Sequence, residues 1–115
     1  MNLEFNVRRI VRGNVLIVTM MGELDHHSAE EVRNKIDDRL DREGIIKLVL
    51  DFSGVKFMDS SGIGVVIGRY KKLSLKHGLV YVSNISESVG RVFEISGMFK
   101  IIKLYDTVEQ AISNI

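Results

Sequence analysis

Asp59-Ser60-Ser61-Gly62 is the stretch of this chain best placed to do chemistry. It lies between an apolar run, Lys47-Leu48-Val49-Leu50-Asp51-Phe52, and a segment whose apolar residues recur at Ile63, Val66, Ile67, Tyr70 and Leu73, the spacing of one helix face. A strand feeding a helix sets two serine hydroxyls at or beside a helix N-terminus. Backbone N–H groups lack intrahelical partners there and the macrodipole is positive, so a phosphate would be well accommodated. The pattern suits a reversible phosphoserine switch; plain N-capping by the serines is the structural alternative. Gly62, Gly64 and Gly68 each cost a helix up to ~1 kcal/mol relative to alanine. Gly64 and Gly68 are expected to let the helix pack closely. Gly62, and with it Gly64, also admits a second reading, clearance for a kinase or partner.

Catalysis by these residues finds no support in the spacing. A nucleophile elbow needs glycine two positions to either side of the serine, and Met58 or Asp59 stands at the upstream place. A hydrolytic triad would need His26, His27 or His77 as its base, with nothing to orient one toward Ser60. No Gly-Lys-Ser/Thr phosphate loop occurs. Asp25-His26-His27 raises metal binding, but adjacent side chains oppose each other on a strand and diverge by roughly 100° on a helix. No metal and no cofactor is expected, and the segment reads as a polar loop. Arg69, Lys71 and Lys72 read as a solvated face, with contact to acidic groups of a partner as the alternative.

The elements that must position these residues follow from periodicity. Phe5, Val7 and Ile10 suggest a first strand, and Val15 to Met20 a second, joined through Gly13-Asn14 as a hairpin. Ser28-Ala29-Glu30-Glu31 looks like a capping box before a helix that carries Ala29, Val32, Ile36 and Leu40 inward and stops at Gly44. Ile45 to Phe52 is apolar enough to be covered on both faces. The next helix is expected from Ser60 to Lys76, ending at His77-Gly78. Leu79 to Val82 forms a strand, a short helix starts at Ser86 and stops near Gly97, Lys100 to Tyr105 forms a last strand, and Asp106 or Thr107 caps a final helix. The order ββαβαβαβα predicts an α/β fold, a mixed and mainly parallel sheet with an N-terminal hairpin and helices packed on it.

With 115 residues, no proline and no linker-like run, residues 1–115 are expected to form one domain. The net charge of +1 gives no electrostatic reason to expect nucleic acid or an anionic membrane as partner. Absence of cysteine excludes disulfides and thiolate zinc sites. No apolar stretch nears the ~20 residues of a membrane helix. A cytoplasmic domain is expected.

Three segments carry a family resemblance: Gly22-Glu23-Leu24-Asp25-His26-His27; Phe57 to Gly64 running into Gly68-Arg69-Tyr70-Lys71; and Ser96-Gly97-Met98-Phe99-Lys100-Ile101-Ile102. Together they resemble STAS-domain anti-sigma factor antagonists, in particular the sporulation branch. The resemblance implies partner switching. The unphosphorylated antagonist binds an anti-sigma factor that is also a serine kinase and so frees the sigma factor; phosphorylation ends the binding, and a serine phosphatase restores it. By this resemblance Ser60 is the phosphate acceptor and Asp59 a partner-recognition carboxylate. Ser61 and Gly62 flank them, and Glu23 and Asp25 lie on a nearby contact edge. The chain would then be a substrate and not an enzyme, and a monomer suffices. A general-stress antagonist or a scaffold STAS domain is the alternative. One departure is visible: relatives often have proline after the serine that opens the third helix, where Glu87 stands.

Overall fold

A computed structural model describes residues 3–115. Strands β1 (Leu3–Ile10) and β2 (Val15–Leu24) form the expected antiparallel hairpin, Leu3 opposite Gly22 and Ile10 opposite Val15. Its turn uses positive φ at Gly13 (87°) and Asn14 (55°), which glycine and asparagine adopt most readily. Strands β3 (Lys47–Met58), β4 (Leu79–Ser83) and β5 (Lys103–Tyr105) then add in parallel, so the sheet order is β1-β2-β3-β4-β5. The crossovers are α1 (Ala29–Glu43), α2 (Ser60–Ser74) and α3 (Glu87–Ser96); α4 (Val108–Ser113) ends the chain's helices.

Alternation along the strands sorts the core into two layers. Leu48, Leu50 and Phe52 of β3 join Leu16, Val18 and Met20 of β2 beneath α1, α2 and α3. Val15, Ile17 and Val49 face the other way, under Val108 and Ala111 of α4. Coverage on both faces accounts for the near-continuous apolar runs of β2 and β3. Phe93 of α3 meets Phe52 edge to face, with ring centroids 5.8 Å apart.

Several boundaries differ from the sequence reading. β2 continues past Met20 to Leu24 and β3 past Phe52 to Met58. Helix α2 stops at Ser74 and not at Lys76, and His77 takes the left-handed conformation (φ 59°). Gly78 is required for another reason: a Cβ there would run into the Ile46 carbonyl oxygen. Residues 100–102 lie outside β5, since Met98–Lys100 form a 3₁₀ turn. Ser28 does not cap α1 with its side chain. Ser86 does cap α3, accepting from Val89 N at 3.2 Å, and Glu87 enters the first turn without proline. Thr107 caps α4 in the same way, from Gln110 N at 3.1 Å.

The face of α2 is also rotated from expectation. Its buried residues are Gly62, Val65, Val66, Arg69 and Leu73. Ile63, Ile67 and Tyr70 are only partly buried against the core.

Candidate functional site

The extra length of β2 and β3 builds the site. Two register shifts, between Thr19 and Met21 and between Gly22 and Glu23, carry the pairing through Glu23 opposite Phe57 to Leu24 opposite Met58. Gly54 is needed there because a Cβ would sit 2.9 Å from Met21 Cβ, and Gly22 takes φ 115°. Beyond the last pair, Asp59 N donates to the Leu24 carbonyl oxygen at 3.3 Å, which fixes the entry to α2.

Asp59, not a serine, is the N-cap. Its backbone is extended, and its Oδ1 accepts from Ser61 N at 2.8 Å. Its carbonyl oxygen accepts from Gly62 N at 3.0 Å and from Ile63 N at 3.4 Å. Capping by Ser60 or Ser61, the structural alternative for the serines, is therefore not how this helix starts. Ser60 is the first helical residue; it is exposed, and among the described residues its hydroxyl has no hydrogen-bond partner.

Ser61 is half-buried and lines a cleft of about 360 Å³ between the starts of α1 and α2, together with His26, Glu30, Arg33 and Gly64. Gly62 is buried; a Cβ there would come within 2.7 Å of Met58 Sδ and 3.0 Å of the Leu24 carbonyl oxygen. Its lack of a side chain serves packing. Gly64 and Gly68 reverse the expectation of close packing, since a Cβ at either meets nothing within 4 Å. The rotated face of α2 explains both results.

The β2–α1 loop forms the neighbouring wall. Asp25 Oδ1 accepts from His27 N at 2.9 Å and Ser28 N at 3.2 Å. Ser28 Oγ donates to the Glu23 carbonyl oxygen at 2.8 Å and accepts from Asp25 N at 3.1 Å. Desolvation pushes the Asp25 carboxyl up, but the His27 and Ser28 N–H groups and the two imidazoles outweigh it and hold the carboxyl below its ordinary value. Glu23 is half-buried and ties into this loop through its backbone.

His26 and His27 occupy a turn, so neither the strand nor the helix divergence applies; their ring centroids are 3.9 Å apart. They address different carboxylates: His26 Nδ1 lies 4.0 Å from Asp59 Oδ2, and His27 Nδ1 lies 3.8 Å from Asp25 Oδ2. The contact between His26 and Asp59 had no signal in sequence, because it links residues on two separate loops. Phe57, half-exposed beside Glu23, adds an apolar surface next to the motif.

Arg69 corrects the reading of a solvated basic face. It is buried, its Nε 3.0 Å from Asp37 Oδ1 of α1 without hydrogen-bond alignment, and its Nη1 donates to the Val65 carbonyl oxygen at 3.3 Å. Burial pushes the guanidinium down from its ordinary value; Asp37 opposes that and Arg33 adds to it. Lys72 pairs with Asp41 at 3.0 Å, a second tie between α2 and α1. These contacts fix the two helices that frame the cleft.

An exposed serine on a capped helix start thus lies beside a loop that presents carboxylates and imidazoles, at one end of a small α/β domain. Residues 6–111 match the family model described as STAS domain, and the chain belongs to that family. It is 38% identical to the anti-sigma F factor antagonist of Paenibacillus polymyxa, over 100% of this chain and 97% of that protein. Against the anti-sigma-B factor antagonist of Bacillus subtilis the identity is 31%, over 90% of this chain and 92% of that one. The anti-sigma factor antagonist SpoIIAA in its unphosphorylated form superposes with a TM-score of 0.84 at 32% identity, covering 96% of this chain and 95% of that one. The Bacillus cell fate determinant SpoIIAA in the phosphorylated form gives 0.76 at 32% identity, covering 96% and 98%.

Proposed function

We propose that this domain is an anti-sigma factor antagonist switched by phosphorylation of Ser60. The observation that carries the reading is the exposed Ser60 hydroxyl, without a hydrogen-bond partner among the described residues, on the first turn of α2 and next to the Asp59 cap. Unphosphorylated, the domain docks on an anti-sigma factor with serine kinase activity and releases the sigma factor in the cytoplasm. Asp59, Ser61, Glu23 and Asp25 lie around the docking point, with Gly62 holding the helix start in place from beneath. The kinase then modifies Ser60, and a phosphatase resets it. The greater identity to an antagonist of the anti-sigma F factor than to one of the anti-sigma-B factor favours control of sporulation over general stress.

The energetics fit local exclusion. A phosphoserine carries roughly −1.5 to −2 charge at neutral pH. A hundredfold loss of affinity needs only about 2.7 kcal/mol. Steric overlap and desolvation of a phosphate pressed against a surface shaped for a hydroxyl are enough, without a change of fold.

The test is phosphopeptide mass spectrometry after incubation with an anti-sigma kinase and ATP, with a control substrate to prove the kinase active. Phosphate confined to Ser60 is expected. Phosphate on another serine would move the switch, and none at all would leave a constitutive binding domain.

A further inference from the structure

The sheet has two edges of very different character. β5 pairs through three residues only. β1 offers eight residues with an uninterrupted register against β2, and among the described residues no strand lies on its outer side. It contains no proline and no bulge, two common means of blocking edge pairing. Helix α1 packs over β2 and α2.

The side chains of β1 fit a copy of themselves. Two strands related by a twofold axis perpendicular to the sheet pair antiparallel with like faces together, which restricts partners to residues of the same parity. Centring the axis on Asn6 places Glu4 opposite Arg8, Phe5 opposite Val7 and Leu3 opposite Arg9. The pairing then contains two Glu4–Arg8 cross-strand ion pairs on one face and two Phe5–Val7 contacts on the other. Leu3, Phe5 and Val7 are each only partly buried at the margin of the core, so a second copy would complete their cover. Moving the axis by one residue toward either end sets Glu4 against Asn6 or Ile10 and loses both ion pairs. Charges on an edge strand ordinarily discourage pairing; here their order makes them self-complementary.

We propose that β1 is a homodimerisation edge and that two copies join through antiparallel β1 strands centred on Asn6 into one ten-stranded sheet. The partner is a second copy of this chain. The α2 start follows β3, two strands from the new interface, so Ser60 keeps its access in the dimer. The inference is independent of the phosphorylation reading.

Sedimentation equilibrium from 10 µM to 1 mM protein tests it. The expected result is a weight-average mass that rises from one chain toward two. Glu4→Arg and Arg8→Glu each set like charges opposite one another twice, and each is expected to weaken association at least tenfold, about 1.4 kcal/mol. The double variant carrying both changes restores the ion pairs in reversed order and should return to within threefold of the original. Circular dichroism checks that each variant is folded, and Arg8→Gln serves if a reversal unfolds the chain, with a smaller loss of association. A single-chain mass up to 1 mM overturns the proposal. So does a dimer indifferent to both reversals, or one that the double variant fails to restore.

Discussion

Replacing Gly64 by alanine separates packing from contact. Gly64 is the fifth residue of α2, exposed, with ordinary helical φ, and an added Cβ meets nothing within 4 Å. Nothing inside the domain requires glycine there, so Gly64→Ala should recover helix propensity, about 0.8 kcal/mol. For a chain of this length that raises Tm by about 3 °C. Gly62→Ala is the counterpart two residues away. Its Cβ presses on Met58 Sδ at 2.7 Å and on the Leu24 carbonyl oxygen at 3.0 Å. The Met58 Cγ, near the backbone of a residue that is itself buried, stands in the way, and the carbonyl belongs to a paired strand, so the cost is that of overpacking, about 1–3 kcal/mol. The two substitutions, alike in chemistry, should move stability in opposite directions.

Binding adds the functional half. Gly64 lines the cleft with Ser61, His26 and Arg33. If a partner seats there, the methyl of Gly64→Ala should weaken anti-sigma factor binding about tenfold, or about 1.4 kcal/mol, while the domain itself becomes more stable. Urea unfolding and calorimetric titration with the anti-sigma factor measure the two halves. A Gly64→Ala variant that is less stable than the original would refute the account of α2's buried face. One that is more stable and binds unchanged would remove the cleft from the contact surface.

Asp59→Ala removes the cap on Ser61 N and should cost about 1 kcal/mol in urea unfolding, with a larger fractional loss in partner affinity; normal binding with a greatly lowered Tm would make Asp59 purely structural. Asp37→Ala strands the buried Arg69 guanidinium. Because Asp37 is 27% exposed, its removal opens a path by which water partly replaces the lost carboxylate, and the expected loss is about 2 kcal/mol, below the usual figure for a fully buried pair. Asp37→Leu combined with Arg69→Met should recover most of it, and a double variant as unstable as the single one would contradict this. Asp25 has a folded pKa below its unfolded value, so the unfolded chain binds the proton more readily. Its contribution is therefore complete above the ordinary aspartate range and is lost as pH falls through the depressed folded value. Asp25→Asn should flatten that part of a stability-against-pH curve below about pH 4; an unchanged acid limb would refute the assignment.

The order of elements was legible because apolar periodicity reports burial, and β2 and β3 are covered on both faces. The site was legible only in outline. After Phe52 the sequence turns to Ser53, Gly54 and Lys56, and the register shifts in β2 break the alternation that would mark a strand. Those are the residues that carry Asp59 to its position. Arg69 looked solvated because a charge on a helix gives no sign of its tertiary partner, here Asp37 on α1. The same rotation of α2 exchanged the roles of the glycines: Gly62 packs, while Gly64 and Gly68 face open space. His26 reached Asp59 because a turn follows neither the strand nor the helix rule for adjacent side chains.

The cap also changes what the helix start can do for a phosphate. A helix leaves its first four N–H groups without intrahelical partners. In α2, Asp59 N is taken by the Leu24 carbonyl oxygen, Ser61 N by Asp59 Oδ1 and Gly62 N by the Asp59 carbonyl oxygen, which leaves only Ser60 N. Three of the four donors that would cradle an anion are thus already engaged, so the accommodation expected from a bare helix N-terminus is largely absent. What remains is the macrodipole, about 0.3–1 kcal/mol for an exposed group, set against the adjacent Asp59 carboxylate. A phosphate on Ser60 would therefore stay turned outward and unabsorbed. That is the arrangement a switch by exclusion requires: the domain keeps its conformation, and the added charge is met in full by whatever docks on the helix start.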